Sequence, residues 1–231
     1  MKYRSIAIDG PSGAGKSTLA KQLARELGFL YVDTGAIYRT VGLFAKQENT
    51  APDDGQAVAA LLPRLDIRMA YDGDGLQRMY LHGADVTDDI RRNEISYYAS
   101  RVSAIPEVRA FLLDMQRRLA REHDVIMDGR DIGTVVLPGA DLKIYLTADA
   151  ADRAHRRYLE LLERGEQVDE AQILRDVVER DECDAHRAVS PLKKAEDAVV
   201  VDTTGNSREE SFGQLLAVIR ENLNRAEGVH E

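Results

Sequence analysis

Gly10-Pro11-Ser12-Gly13-Ala14-Gly15-Lys16-Ser17 satisfies the pattern G-x-x-x-x-G-K-[ST] at every fixed position. Ser5-Ile6-Ala7-Ile8-Asp9 precedes it, a short apolar run of the kind that forms a buried strand. Leu19, Leu23 and Leu27 follow at four-residue spacing, one face of a helix. Strand, glycine loop and helix start, in that order, make a phosphate cradle. The glycines let backbone N–H groups converge on an anion, and the helix N-terminus adds partial positive charge. Lys16 would reach the β- and γ-phosphates, and the Ser17 hydroxyl would hold Mg²⁺. The alternative, a glycine-rich turn with a solvated lysine, does not account for the flanking strand and helix.

Outward from the loop, strand-like runs at 6–9, 30–33, 125–128, 142–146 and 199–202 alternate with helical patterns. The helical segments are 17–27, 36–47, 106–122, 152–164, 170–187 and 209–223. Short aliphatic strands alternating with helices predict a parallel, doubly wound α/β sheet covered on both faces. The rhythm breaks from 65 to 105. Asp66-Ile67-Arg68-Met69-Ala70-Tyr71 and Gln77-Arg78-Met79-Tyr80-Leu81 flank the turn Asp72-Gly73-Asp74-Gly75. Alternating apolar and polar residues around such a turn predict an antiparallel hairpin with one wet face. A helix over 88–103 follows, with Ile95, Tyr98, Ala99 and Val102 on one side. The segment reads either as an insert in the parallel domain or as a simple edge hairpin.

Length and charge narrow the function. A chain of 231 residues with 44% apolar content suits one large α/β domain or a domain carrying an insert. The net charge of −9 argues against a broad nucleic-acid-binding face, so a polyanionic ligand must be gripped by local arginines. Cys183 is the only cysteine, which excludes an internal disulfide and a cysteine-based zinc site and suits a reducing cytoplasm. Asp9 and the glycine loop interrupt any signal-like apolar stretch, and no run approaches the roughly 20 residues a membrane span needs. The expectation is a soluble cytoplasmic chain. The five histidines form no H-E-x-x-H or other ligand pair at helical spacing.

Four further groups could carry chemistry. Asp33-Thr34-Gly35-Ala36-Ile37-Tyr38-Arg39 ends the second strand and opens a helix whose apolar face is Ile37, Val41, Phe44 and Ala45. Thr34 is the expected N-cap, and Arg39 could reach back toward an anion or be merely solvated. Asp128-Gly129-Arg130-Asp131-Ile132-Gly133-Thr134 follows a strand end. There Asp128 could support a metal shell, and Arg130 and Asp131 could meet ligand or form a structural ion-pair network. Arg153, Arg156 and Arg157 share one helix surface, with Glu160 and Glu163 as possible partners. Finally, the stripe Ile173, Val177 continues as Arg180, Asp184 and Arg187. An apolar face that turns ionic implies a polar ligand or wet cleft, because burying unpaired charge costs several kcal/mol. A surface Arg180–Asp184 pair is the simpler alternative.

Together, Gly10–Ser17, Asp33-Thr-Gly-Ala-Ile-Tyr-Arg39, Asp128-Gly-Arg-Asp-Ile-Gly-Thr134 and Arg180-Asp-Glu-Cys-Asp-Ala-His-Arg187 resemble the bacterial cytidylate kinase (CMP/dCMP kinase) family. Ser190-Pro191-Leu192 and the run 199–202 are similar to it as well. The resemblance implies a P-loop kinase core with a five-stranded parallel sheet, all within one 1–231 domain. It implies an inserted antiparallel β/helix region for the nucleoside monophosphate, about 34–105 with the insert about 65–105, and a short helical LID about 153–189. The implied reaction is ATP plus CMP or dCMP giving ADP plus the diphosphate, with Mg²⁺.

By the same resemblance, residues Gly10 to Ser17 and Thr18 hold ATP, and Lys16, Arg130, Arg153, Arg157 and Asp128 are catalytic. The acceptor nucleotide falls to Thr34, Tyr38, Arg39, Ser100, Arg109, Arg130, Asp131, Arg180, Asp184 and Arg187. Among these, Ser100, Arg109 and Asp131 lie near cytosine, and Arg180 and Asp184 near the ribose. Mg²⁺ falls to Ser17, Asp33 and Asp128, some through water. The expected partners are CMP or dCMP and ATP, with no nucleic acid and no membrane, and the chain is expected to be a monomer. A related kinase acting on UMP, AMP or shikimate, or a nucleotide-binding switch without transfer activity, stays open as an alternative; no guanine-reading N-K-x-D occurs.

Overall fold

The computed structural model describes residues 3–163 and 165–227. Position 164, the expected end of the helix from 152, lies outside them, as do the ends of the 1–231 span. The chain runs β1 (Ser5–Asp9), α1 (Lys16–Leu27), β2 (Leu30–Asp33), α2 (Thr34–Gln47), α3 (Gly55–Leu61), β3 (Ile67–Tyr71), β4 (Gln77–Leu81) and β5 (Ala84–Asp85). It continues with α4 (Asn93–Val102), α5 (Pro106–Glu122), β6 (Val125–Gly129), β7 (Leu142–Thr147), α6 (Ala150–Glu163), α7 (Glu170–His186), β8 (Val199–Asp202) and α8 (Arg208–Glu227).

Five strands form the expected parallel sheet in the order β2-β6-β1-β7-β8. β1 pairs with β7 at Ile6–Leu142, and β7 with β8 at Ile144–Val199. Ile6, Ala7 and Ile8 are fully buried, as a strand covered on both faces requires. A second, three-stranded antiparallel sheet, β3-β4-β5, realises the expected hairpin as an insert and adds a short third strand.

By compactness the chain divides into two units, one of 4–29 with 126–231 and one built on 30–125. In the second unit one apolar core gathers Val41 and Phe44 of α2, Met79 of β4, Ile95 and Val102 of α4, and Val108 and Leu112 of α5. Helices α2 and α4 touch closely at Gly42, where a Cβ would lie 3.0 Å from both the Ala99 nitrogen and the Tyr98 Cβ. In the first unit α6 and α7 pack through Ala154, Leu161, Ile173 and Val177.

Two local expectations need correcting. The helix expected over 88–103 is broken: Asp89–Arg91 form a 3-10 turn, Arg92 is extended, and α4 starts at Asn93. Ile90 and Ile95 are both buried in the same core. On a continuous helix they would point about 140° apart, so the break re-aims one of them. The cap of α2 is also displaced by one residue. Asp33, not Thr34, is the N-cap, and its Oδ1 accepts from the Ala36 N–H at 2.9 Å. A carboxylate there satisfies a donor of the first turn and suits the helix dipole.

Candidate active site

The glycine loop joins β1 to α1, with Lys16 as the first residue of the helix. Gly10 cannot be replaced without moving the loop, because a Cβ there would sit 1.9 Å from the Leu146 carbonyl oxygen. Lys16 is buried and donates to the Pro11 carbonyl at 2.7 Å, folded over the loop's own backbone. Burial, followed by the charge of Arg130, pushes its ammonium well below the usual lysine range; the carboxylates of Asp128, Asp184 and Asp9 oppose this. A dry, destabilised cation gains most when a polyanion arrives.

Ser17 donates to Asp128 Oδ2 at 2.8 Å, joining the start of α1 to the end of β6. A hydroxyl and a carboxylate at one point are hard oxygen ligands, and Mg²⁺ bound with phosphates and water needs few more from protein. The pair therefore fits the metal role expected of it. Among the described residues no three His, Cys, Asp or Glu side chains are grouped to hold a metal by themselves. Asp33, the other expected metal residue, uses Oδ1 for its cap and has Oδ2 3.7 Å from Arg91.

The loop after β6 meets α7 through crossed ion pairs. Arg130 Nε donates to Asp184 Oδ2 at 2.8 Å, and Arg187 lies 3.9 Å from Asp131. Arg187, at the C-cap of α7, also donates to the Ser190 carbonyl. Burial would raise the Asp184 carboxyl, but Arg130, with Arg180 and Arg187 behind it, holds it below the usual range. The ionic continuation of the α7 stripe is thus an interior network and not a surface pair. It brings together Arg130, Asp131, Arg180, Asp184 and Arg187.

The α6 arginines divide. Arg153 is buried and donates to the Ala148 carbonyl and to the Ser12 carbonyl of the glycine loop, both at 2.8 Å, with Asp181 2.6 Å away. Arg156 pairs with Asp152 and donates to the Thr203 carbonyl at 2.6 Å, tying down the segment after β8. Arg157 pairs with Glu160 at 2.8 Å near the surface. Within the other unit, Arg109 of α5 lies over the Tyr38 ring at 5.4 Å and donates to the Ser103 carbonyl at 3.0 Å. Ser100 is one turn before Ser103 on α4, whose seam with α2 runs through Gly42, and Thr34 and Arg39 flank Tyr38 on α2.

One residue escaped the sequence reading. Asp9, at the end of β1, accepts the Ile132 and Gly133 N–H groups at 2.7 Å each. Those residues open a π-type turn over Ile132–Val136, closed by Leu137 N–H on the Ile132 carbonyl. Burial pushes the Asp9 carboxyl up to about 6, against the two backbone bonds. The signal was a charge ending an otherwise apolar strand.

Residues 6–221 match the family model described as cytidylate kinase. The chain belongs to the cytidylate kinase family. It is 51% identical over 216 residues to the cytidylate kinase of Caldicellulosiruptor bescii, covering 94% of this chain and 95% of that one. The cytidylate kinase of Carboxydothermus hydrogenoformans is 48% identical over 214 residues, covering 93% and 96%. Membership at this identity extends through both units and includes the three-stranded insert. The crystal structure of an uncharacterized protein from Eubacterium ventriosum shares the fold at a TM-score of 0.53 and 12% identity, covering 94% of this chain and 98% of that one. No helix among the described residues is long and apolar enough to cross a membrane.

Proposed function

We propose that this chain transfers the γ-phosphoryl group of ATP to CMP and dCMP, giving ADP and the corresponding diphosphates. The observation that carries this conclusion is the match of 6–221 to the cytidylate kinase family. The geometry supports it with a buried lysine, a hydroxyl–carboxylate pair and crossed arginine–aspartate pairs around the end of β6.

An acceptor phosphate oxygen attacks Pγ; the bond from Pγ to the β,γ-bridging oxygen breaks, and ADP leaves with that oxygen. The second pKa of a phosphate monoester is near 6, so the dianion dominates at neutral pH and no general base is needed. Catalysis is then alignment plus charge neutralisation. Backbone N–H groups of 10–18 and Lys16 hold the donor phosphates. Arg130 and Arg157 neutralise charge as the phosphoryl group moves, and Arg153 holds the loop through Ser12. Where Mg²⁺ is bound, Ser17 and Asp128 would hold it, and it would draw charge from the β- and γ-oxygens. The metal role expected of Asp33 would require Arg91 to give way.

For the acceptor, Thr34, Tyr38 and Arg39 take the phosphate side. Ser100, Arg109 and Asp131 take cytosine, whose N4 amino group suits a carboxylate acceptor. Arg180 and Asp184 take the ribose, and Arg187 holds Asp131. The segments 34–105 and 153–189 act as acceptor-binding region and LID of one kinase domain, working as a cytoplasmic monomer. Steady-state ADP release with CMP, dCMP, UMP and AMP against ATP and Mg²⁺ tests the reading. We expect CMP and dCMP to be used best. UMP or AMP used equally well, or no diphosphate from folded protein, overturns it.

A further inference from the structure

β2 ends the sheet order, and its Leu30 N–H donates to the Asp124 carbonyl at 2.8 Å. Backbone groups alternate sides along a strand, so Tyr31 and Asp33 turn theirs to the opposite, open edge. Such an edge normally waits for water or another strand. Here side chains of the insert cover it. The Tyr71 hydroxyl donates to the Tyr31 carbonyl at 2.9 Å. The Gln77 amide takes both polar groups of Asp33: Oε1 accepts its N–H at 2.8 Å, and Nε2 donates to its carbonyl at 3.2 Å. Tyr71 and Gln77 are direct partners across β3 and β4. Burial raises the Tyr71 phenol above its ordinary range, so it remains a donor. Arg91 adds a third hold, on the Asp33 carboxylate.

Asp33 in turn caps α2, the helix that carries Thr34, Tyr38 and Arg39. A shift of Asp33 moves that first turn. We propose that Gln77, with Tyr71 beside it, is a positioning residue for the acceptor nucleotide: the insert clamps Asp33, and Asp33 sets the first turn of α2. This rests on the assignment of Thr34, Tyr38 and Arg39 to the acceptor phosphate. It gives the three-stranded insert a mechanical task that its wet outer face does not suggest.

The test is steady-state kinetics on the full chain with Gln77→Leu, Tyr71→Phe and Arg39→Ala, each checked for folding by circular dichroism. Leucine keeps the bulk of Gln77 and removes both hydrogen bonds to Asp33, along with the weaker one to the Met79 sulfur, so a purely packing role would leave it neutral. We expect Gln77→Leu to raise KM for CMP about 10-fold and Tyr71→Phe about 3-fold, with KM for ATP within about 2-fold of wild type. KM values for CMP and ATP that rise together, or that both stay at wild type, overturn the proposal. If Gln77→Leu does not fold, the single-atom change Tyr71→Phe decides by the same criterion. Arg39→Ala separates the two levels. If it leaves KM for CMP unchanged, the acceptor assignment fails; if it raises KM while the Gln77 and Tyr71 variants do not, the clamp alone fails.

Discussion

Arg130, just after β6, and Asp184, in the last turns of α7, form a 2.8 Å ion pair in which the aspartate is buried. Breaking a buried pair strands the surviving charge, whereas replacing both partners by apolar groups is often neutral. Asp184→Ala should therefore lower stability by about 3 kcal/mol in denaturant unfolding. The double variant Arg130→Met with Asp184→Leu should recover most of that without recovering turnover. The pH sign is fixed by the depressed Asp184 carboxyl. Its contribution is present above the ordinary value of 3.8 and lost as pH falls through the lower folded value. Wild type should keep its advantage over Asp184→Asn from pH 5 to 8, read as about constant ΔG difference, and lose it only in stronger acid.

Asp9 has the opposite sign. Its carboxyl stands at about 6 in the fold against 3.8 ordinarily. Between those values the unfolded chain has released the proton and the native protein has not. Its stabilising contribution is therefore complete below 3.8 and disappears as pH rises to about 6. Compared with Asp9→Asn, which does not titrate, wild type should lose on the order of 3 kcal/mol of relative stability across that interval. Urea titrations at half-unit pH steps would read it. A flat difference would mean that the buried carboxylate is ionised at no cost.

Lys16→Ala should lower kcat/KM by at least about two orders of magnitude, the scale of losing one transition-state donor. Because Lys16 is buried with its charge disfavoured, the fold should not weaken in proportion. Parallel thermal melts and ADP-release assays would separate the two effects.

Asp131→Asn replaces an acceptor by a group that can also donate, which suits the O4 of uracil. The UMP-to-CMP ratio of kcat/KM should rise. An unchanged ratio would remove Asp131 from base recognition and leave it as the partner of Arg187.

Arg153 and Arg157 should part company. Arg153→Ala cuts bonds to Ser12, Ala148 and Asp181, so both the melting temperature and turnover should fall. Arg157→Ala touches a pair near the surface, worth about 1 kcal/mol or less, so turnover should fall while the melt stays close to wild type.

The sequence was most readable where chemistry and periodicity coincide. The strand, glycine loop and helix over 5–27 and the hairpin around Asp72–Gly75 carry their meaning in residue type and spacing alone. What it hid were pairings that close only in three dimensions. Arg130 finds Asp184 across 54 positions, and Gln77 reaches Asp33 across 44. No periodicity announces such a pair. The helix break at Arg92 was equally silent, because only the shared burial of Ile90 and Ile95 requires the turn between them.

At Gly42 the Ala99 nitrogen and the Tyr98 Cβ of α4 rest against α2, which presents no side chain there. The distance from Tyr38 and Arg39 on one helix to Ser100 on the other is therefore gauged by bare atomic radii, not by a compressible cushion. A single methyl at that seam would widen the gap by a few tenths of an ångström without altering any group proposed to hold the nucleotide. Base preference could then be retuned from a residue that never touches a base.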